Sequence, residues 1–526
     1  MLFNKMSLAA TLLASAIGVG SLEGKAADVS IATATDITSL DPQFHNVGPN
    51  VEFHMNIFDS LVAQAPDQSL QPGLATSWKV TDDDPKVWEF HLRTGVRFQD
   101  GAPLTAEDVV YSFERARAIK NSPGGAVQFL SHVAKVEAKE PSVVTITTKD
   151  VYPLLPNDLS AVPIISHARG DLSKIDYTNI ANVVGTGPYK LASYTPGERA
   201  VLKRNESYWG ANPAWDTVTI RPISAPAART AALLAGDVDL IAAVSSADLT
   251  RLRENQDLRV WDAQSSRLIY LAMDSSRELS PFVKGPKGED IPNPLRDRRV
   301  REAISLSINR SAIVDRIMGG LAEPSGQIAA PFLFGAARDI AAPSQNVERA
   351  RALLAEAGYP DGFSITLHTP NDRYPNDSAV AQAVAQMLVQ ASIKCQVEAM
   401  PSSVYFTRAS KLEFSLMLLG NASVTGEASF PLKTIAGTFE KDGSRGGANR
   451  GRYSNASLDA LLDRASSTVA DTDRQKLLQE ADHLAAEDVA VVPLYFQKYA
   501  WATRRGVEYQ GRSDEYTIAE SARPNE

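Results

Sequence analysis

Phe363-Ser364-Ile365-Thr366-Leu367-His368-Thr369 alternates apolar and polar residues as a strand does, and it is followed by Ser378 to Ala391 and then by Ile393-Lys394-Cys395-Gln396-Val397. In the middle segment Val380, Ala383, Val384, Met387, Leu388 and Ala391 recur at spacings of three and four, which lays them along one face of a helix. The third segment returns to the strand pattern. Strand, helix and strand of these lengths make a βαβ unit, and a crossover of that length joins parallel neighbours. The fold class expected from this stretch is α/β.

Upstream, the same reading continues. Asn346 is an N-cap candidate before Val347, Ala350, Leu353, Leu354 and Ala357, with Gly358 as the stop and Pro360 beyond it. After Pro294 a helix carries Val300, Ala303, Ile304 and Ile308, and Asn309 caps a second one that ends at Gly319-Gly320. Between Arg277 and Asn293, Gly285, Pro286, Gly288 and Pro292 mark a surface loop. The N-terminal third is richer in strands: Trp88, Phe90 and Leu92 share one face of Val87–Leu92, and Val143 to Thr148 is a β-branched run. Some antiparallel sheet is therefore expected beside the parallel part.

The chain opens with Lys5, an apolar run from Leu8 to Val19 and the small-residue stretch Gly24-Lys25-Ala26-Ala27. That is the pattern of a secretory signal peptide, and the run is shorter than the roughly 18 residues a membrane span needs. Cleavage is expected after Ala26, and no cysteine stands nearby to carry a lipid. Cys395 is the only cysteine, so no intramolecular disulfide can form. Lys and Arg number 53 against 62 Asp and Glu, a net charge of −9. With no basic face to hold phosphates, nucleic acid is not an expected partner. At 526 residues the chain is long enough for two or three domains.

The constellations that catalysis needs are missing from the sequence. There is no Gly-x-Ser-x-Gly elbow and no His-Glu-x-x-His helix. The seven histidines are scattered and read as surface or structural residues. Asp82-Asp83-Asp84 is followed by Pro85 and lacks the glycine and distal glutamate of a calcium loop, so it reads as a solvated turn. Gly185-Thr186-Gly187-Pro188-Tyr189 lacks the Lys-Ser/Thr pair of a phosphate loop and reads as a tight turn. No cofactor is implied.

A series of motifs runs along nearly the whole chain. In order they are Ser39 to Pro42, Leu74 to Trp78, Trp88 to Arg93 with Gly95 to Phe98, Asp100-Gly101, Leu104 to Val109, Gly185 to Tyr189, Asn205 to Gly210, Gly236 to Asp239, Arg299 to Ile304 and Ala350 to Tyr359. On these the sequence resembles the bacterial extracellular solute-binding proteins of family 5, the peptide, nickel and opine type. The resemblance implies a two-lobe periplasmic-binding-protein type II fold with an extra subdomain and a hinged ligand cleft. Lobe I would take residues 28–60, 184–268 and 491–526, with strands at Val29, Val218 and Val489. The extra subdomain would take 61–183 and lobe II 269–490. It further implies a monomeric periplasmic receptor, not an enzyme, that closes on its ligand and docks on the permease of an ABC importer.

Relatives that bind short peptides take the ligand's ammonium on the acid of a Trp-x-x-Asp segment and its carboxylate on an upstream arginine. The matching stretch runs from Leu419 to Glu427, where Asn421 stands for the tryptophan and Val424 for the aspartate. Arg373 lies near the arginine position and is either a bidentate carboxylate clamp or a solvated loop residue. The implied ligand-binding residues are His45, Asn46, Val47, Arg373, Asn421, Ser423, Val424 and Thr425. Glu427 is expected to be a solvent-facing loop residue, or else an acid displaced to replace the missing aspartate. A small peptide or peptide-like solute is the expected cargo. An opine, a sugar derivative or a metal chelate is the alternative within the class, and a chaperone-like binder or a hydrolase the alternatives outside it.

Overall fold

The computed structural model describes residues 27–170, 175–441 and 444–525. The signal-peptide expectation for residues 1–26 lies outside the described residues. Strands Phe363–Pro370 and Ile393–Met400 pair in parallel, Phe363 beside Ile393 and Pro370 beside Met400, with helix Asp377–Gln390 as their crossover. Its buried face holds Val380, Ala381, Val384, Ala385 and Leu388, while Ala383 and Met387 are only half-buried. The stripe is rotated toward two alanines, whose small side chains let the helix lie close on the sheet. Upstream, the Asn346 side chain accepts from the Arg349 amide at 2.9 Å and caps helix Val347–Glu356. Asn309 caps Arg310–Arg316 in the same way through the Ala312 amide.

The largest sheet has twelve strands. At one end Asp28–Thr33 lies parallel to Thr217–Pro222, with Val29 directly opposite Val218, and parallel to Leu240–Ile241. At the other end are the βαβ strands and Leu416–Asn421. Two long antiparallel strands, Leu258–Met273 and Val492–Arg504, run through both ends and join them. Their register breaks between Gln264 and Leu268, at the place where the sheet passes from one lobe to the other. The fold is thus two α/β lobes linked by crossing strands.

Each lobe encloses its own apolar core. Val29, Ile31, Val218, Leu240 and Trp501 belong to the first, and Ile269, Ile304, Leu354, Val384 and Leu388 to the second. A further core lies under a separate four-stranded antiparallel sheet, where Trp88, Phe90, Leu92, Val144 and Ile146 pack on Val109 and Phe113 of helix Ala106–Ala118. That sheet is the extra subdomain.

Two local expectations are corrected. Val489 is not in a strand: it follows helix Asp471–Glu487 with φ 49, the left-handed turn that redirects the chain, and the strand starts only at Val492. The Arg277–Asn293 segment is more than a surface loop. Val283–Lys284 forms an edge strand on Phe363–Pro370, Val283 is buried, and the buried Asn293 amide donates to the Asp274 carbonyl. Its polar composition hid this because its polar groups are satisfied within the segment and its neighbours. The Gly185–Tyr189 turn packs tightly on the preceding lobe I chain. A Cβ on Gly185 would fall 2.0 Å from the Ile57 carbonyl oxygen, so only glycine fits there.

Candidate ligand-binding cleft

Strand Leu416–Asn421 ends at the cleft, and the chain that follows is held from both sides. The Ser423 amide donates to Ser266 Oγ at 3.2 Å, and the Ser423 hydroxyl donates to the Glu427 carbonyl at 3.0 Å. Across the lobes, Asn157 Nδ2 donates to the Thr425 carbonyl at 2.7 Å and Gln68 Nε2 to the Ser423 carbonyl at 3.3 Å. Between these anchors Val424 is 54% exposed. Glu427 does the reverse of what was expected of it. It is buried and ion-paired to Arg474 of helix Asp471–Glu487, whose guanidinium also lies 4.5 Å from the centre of the Phe334 ring. A carboxylate this deep needs a counter-charge, and Arg474 is it. Glu427 is therefore neither solvent-facing nor available as a displaced ligand acid.

Val424 and Thr425 border a cavity of about 1010 Å³ formed between residues of both lobes and the extra subdomain. That is the upper end of the roughly 300–1,000 Å³ that small-molecule sites occupy. Asn46 is also on its wall. The five other residues named from the sequence do not line it. His45 places Nδ1 3.0 Å from Thr38 Oγ1 and bridges to Gly124, and Val47 caps helix Gly48–His54. Arg373 is exposed, with its guanidinium 5.3 Å from the ring of its neighbour Tyr374. Asn421 is half-buried at the strand end, and Ser423 is buried in the anchoring bonds just described.

Several wall residues escaped sequence reasoning. Asp59, Tyr208, Trp209 and Lys433 are among them. Phe129, His132, Tyr152 and Asp158 come from the extra subdomain. Tyr208 and Trp209 lie inside the Asn205–Gly210 motif, but nothing in the spacing of the others marks them. Their proximity is made by two short helices, Ala126–Leu130 and Leu155–Leu159, packing on each other.

The acids on this wall are perturbed. The Asp59 carboxylate is pushed up to about 6 by burial, although the Thr186 hydroxyl and the Trp209 indole donate to it at 2.7 and 2.9 Å. Asp158 is pushed up to about 7 by burial, opposed only by the Tyr152 hydroxyl. Burial, then Lys433 and Lys149, push the His132 imidazole below its ordinary value, so it is neutral at pH 7. Among the described residues no group of three or more His, Cys, Asp or Glu is placed to hold a metal ion. The arrangement suits an amphiphilic solute: aromatic surfaces for its body, and acids and a lysine for its charged groups.

A family model described as bacterial extracellular solute-binding proteins, family 5 Middle, matches residues 69–443. The chain belongs to family 5. As a family 5 protein it is a solute-binding receptor of an ABC importer. The glutathione-binding protein GsiB of Escherichia coli (strain K12) is 28% identical over 487 residues, covering 90% of each chain. Among solved structures, HbpA2 from Haemophilus parasuis matches with a TM-score of 0.81 at 21% identity, covering 95% of this chain and 100% of that one. The periplasmic murein tripeptide binding protein MppA, in its unliganded open form, matches with a TM-score of 0.80 at 22% identity, covering 95% and 98%. Both confirm the two-lobe family 5 fold. No helix among the described residues is long and apolar enough to cross a membrane.

Proposed function

We propose that this family 5 receptor binds one small peptide or peptide-like solute in the cleft between its lobes and releases it unaltered to a permease. The observation that carries this reading is the 1010 Å³ cavity, whose wall combines aromatic rings, buried acids and Lys433. Those are the groups that a peptide's side chains, ammonium and carboxylate require. A glutathione-binding relative over 90% of the chain supports the same class of cargo. Of the residues read from the sequence, Asn46, Val424 and Thr425 make the contacts. The protein works as a monomer in the periplasm after cleavage behind Ala26. Closure pivots on the crossing strands, with lobe I as 28–60, 184–268 and 491–526, the extra subdomain as 61–183 and lobe II as 269–490.

The test is mass spectrometry of what co-purifies with the native protein, followed by calorimetry with glutathione and with free and N-acetylated di- and tripeptides. One bound peptide per chain, recovered intact, is expected. A co-purified solute with no peptide character and no binding of any member of the panel overturns the reading, and recovery of cleaved peptide in excess over protein overturns the absence of turnover.

A further inference from the structure

Val424 leaves the lobe II side of the cleft without the acid that would meet an ammonium, and Glu427 is committed to Arg474. The extra subdomain carries an acid in the opposite state. Asp158 is 8% exposed, lines the cavity, and is ion-paired to no lysine or arginine among the described residues. Its one side-chain partner is the Tyr152 hydroxyl, which donates to Oδ2 at 2.8 Å. The Tyr152 ring in turn stacks on His132, with centroids 3.9 Å apart and planes 11° from parallel. All three side chains line the cavity.

A buried carboxylate held by one neutral donor is costly to ionise, and a bound cation is what would compensate it. The flanking ring system favours the same guest, because the face of a tyrosine attracts an ammonium. Resting on the peptide reading above, we propose that Asp158, Tyr152 and His132 form the subsite for the ligand's ammonium group, on the extra-subdomain wall rather than at the lobe II position that Val424 occupies. Asp158 accepts the ammonium's hydrogen bonds, Tyr152 holds the carboxylate in place, and His132 braces Tyr152. The groups facing this cluster are few. Glu427 acts on Tyr152 from lobe II, and Lys433, Lys149 and Asp150 act on His132. Burial keeps Asp158 partly protonated near neutral pH and keeps His132 uncharged, so the positive charges that face the cluster are Lys433 and Lys149, on the His132 side, and the Asp158 carboxylate must outweigh them.

The ionised form of Asp158 is the one that binds, so affinity for an amine rises with pH through about 7 and binding near pH 7 releases a proton. The experiment is calorimetry at pH 6 and pH 8 on wild type, Asp158→Asn and Tyr152→Phe. The probes are glutathione and trialanine, each with its N-acetylated form. Asp158→Asn is expected to weaken the free-amine probes by roughly 30-fold or more, the scale of losing one partner of a buried charge pair, and the acetylated ones by less than about threefold. It should also abolish the gain in affinity between pH 6 and 8. Tyr152→Phe keeps the carboxylate but removes its donor, so the midpoint of that gain should move to higher pH. Thermal melting checks the fold, and Asp158→Asn should melt no lower than wild type because it removes a buried uncompensated acid. Equal losses for free and acetylated probes, or none, overturn the inference alone. If wild type binds no probe, acetylated or free, the peptide reading falls and this subsite falls with it.

Discussion

Val424 and Glu427 stand three residues apart and have opposite fates, one projecting into the cleft and one sealed behind it. For Glu427 the expected consequence of substitution is structural. Glu427→Gln leaves the Arg474 guanidinium with only the exposed Asp471 as counter-charge, so urea unfolding should show a loss, smaller than the about 3–5 kcal/mol of a wholly unpaired buried charge. Calorimetry on the folded protein should show ligand affinity changed less than tenfold, because the carboxylate faces Arg474 and not the solute. Gly426 lies between them at φ +72, and a Cβ there would sit 2.4 Å from the Gln68 carbonyl oxygen. Gly426→Ala is therefore expected to lower the melting temperature, by the equivalent of about 1–3 kcal/mol for strain at a left-handed position plus the clash.

Among the elements, the helices are where local signals act most independently. The Asn346 side chain satisfies one orphan amide of helix Val347–Glu356, whose Ala350, Leu353 and Leu354 are buried in the lobe II core. Asn346→Ala should cost about 1 kcal/mol in a denaturant titration, with ligand affinity unchanged because no residue of the helix lines the cavity. The crossing strands are elements of another kind. At their register break Glu515 accepts from the Ser265 hydroxyl at 2.7 Å and from Arg267 at 2.9 Å, which ties the irregular stretch to the C-terminal chain. An irregular, side-chain-braced segment between two regular ladders is where a lobe motion can be absorbed with little change inside either core.

At the scale of the whole molecule, buried acids set the response to pH. Asp59 titrates at about 6, and Asp158 and Asp482 at about 7, all raised by burial. In the unfolded chain aspartates titrate near 3.9, so between about pH 4 and 7 these three acids bind more protons in the native state, and together they outweigh buried His54, lowered to about 4, which acts the other way. Stability of the ligand-free protein should then fall as pH rises through that window, read as a melting temperature lower at pH 8 than at pH 5. Ligand binding acts in the other direction. A solute held only by the folded protein should add about 2.7 kcal/mol at 100 times its dissociation constant.

The α/β class is legible along the chain, because periodicity and caps are local and survive in any context. The alternation of Phe363–Thr369, the helix before Ile393 and the caps at Asn346 and Asn309 are all present in the structure. Motif order carried the family as well. Local signals failed where the chain turns, at Val489, where a polar segment satisfies its own groups, at Arg277–Asn293, and in the exact face of the crossover helix, at Ala383 and Met387. The cleft belongs to the tertiary structure. Only the packing of helix Leu155–Leu159 on Ala126–Leu130 brings His132, Tyr152 and Asp158 together on one wall, and only the passage of Arg474 beneath the loop decides that Glu427 is spent while Val424 faces the solute. Burial and counter-charge are properties of the assembled fold, and a residue's neighbours along the chain do not specify either.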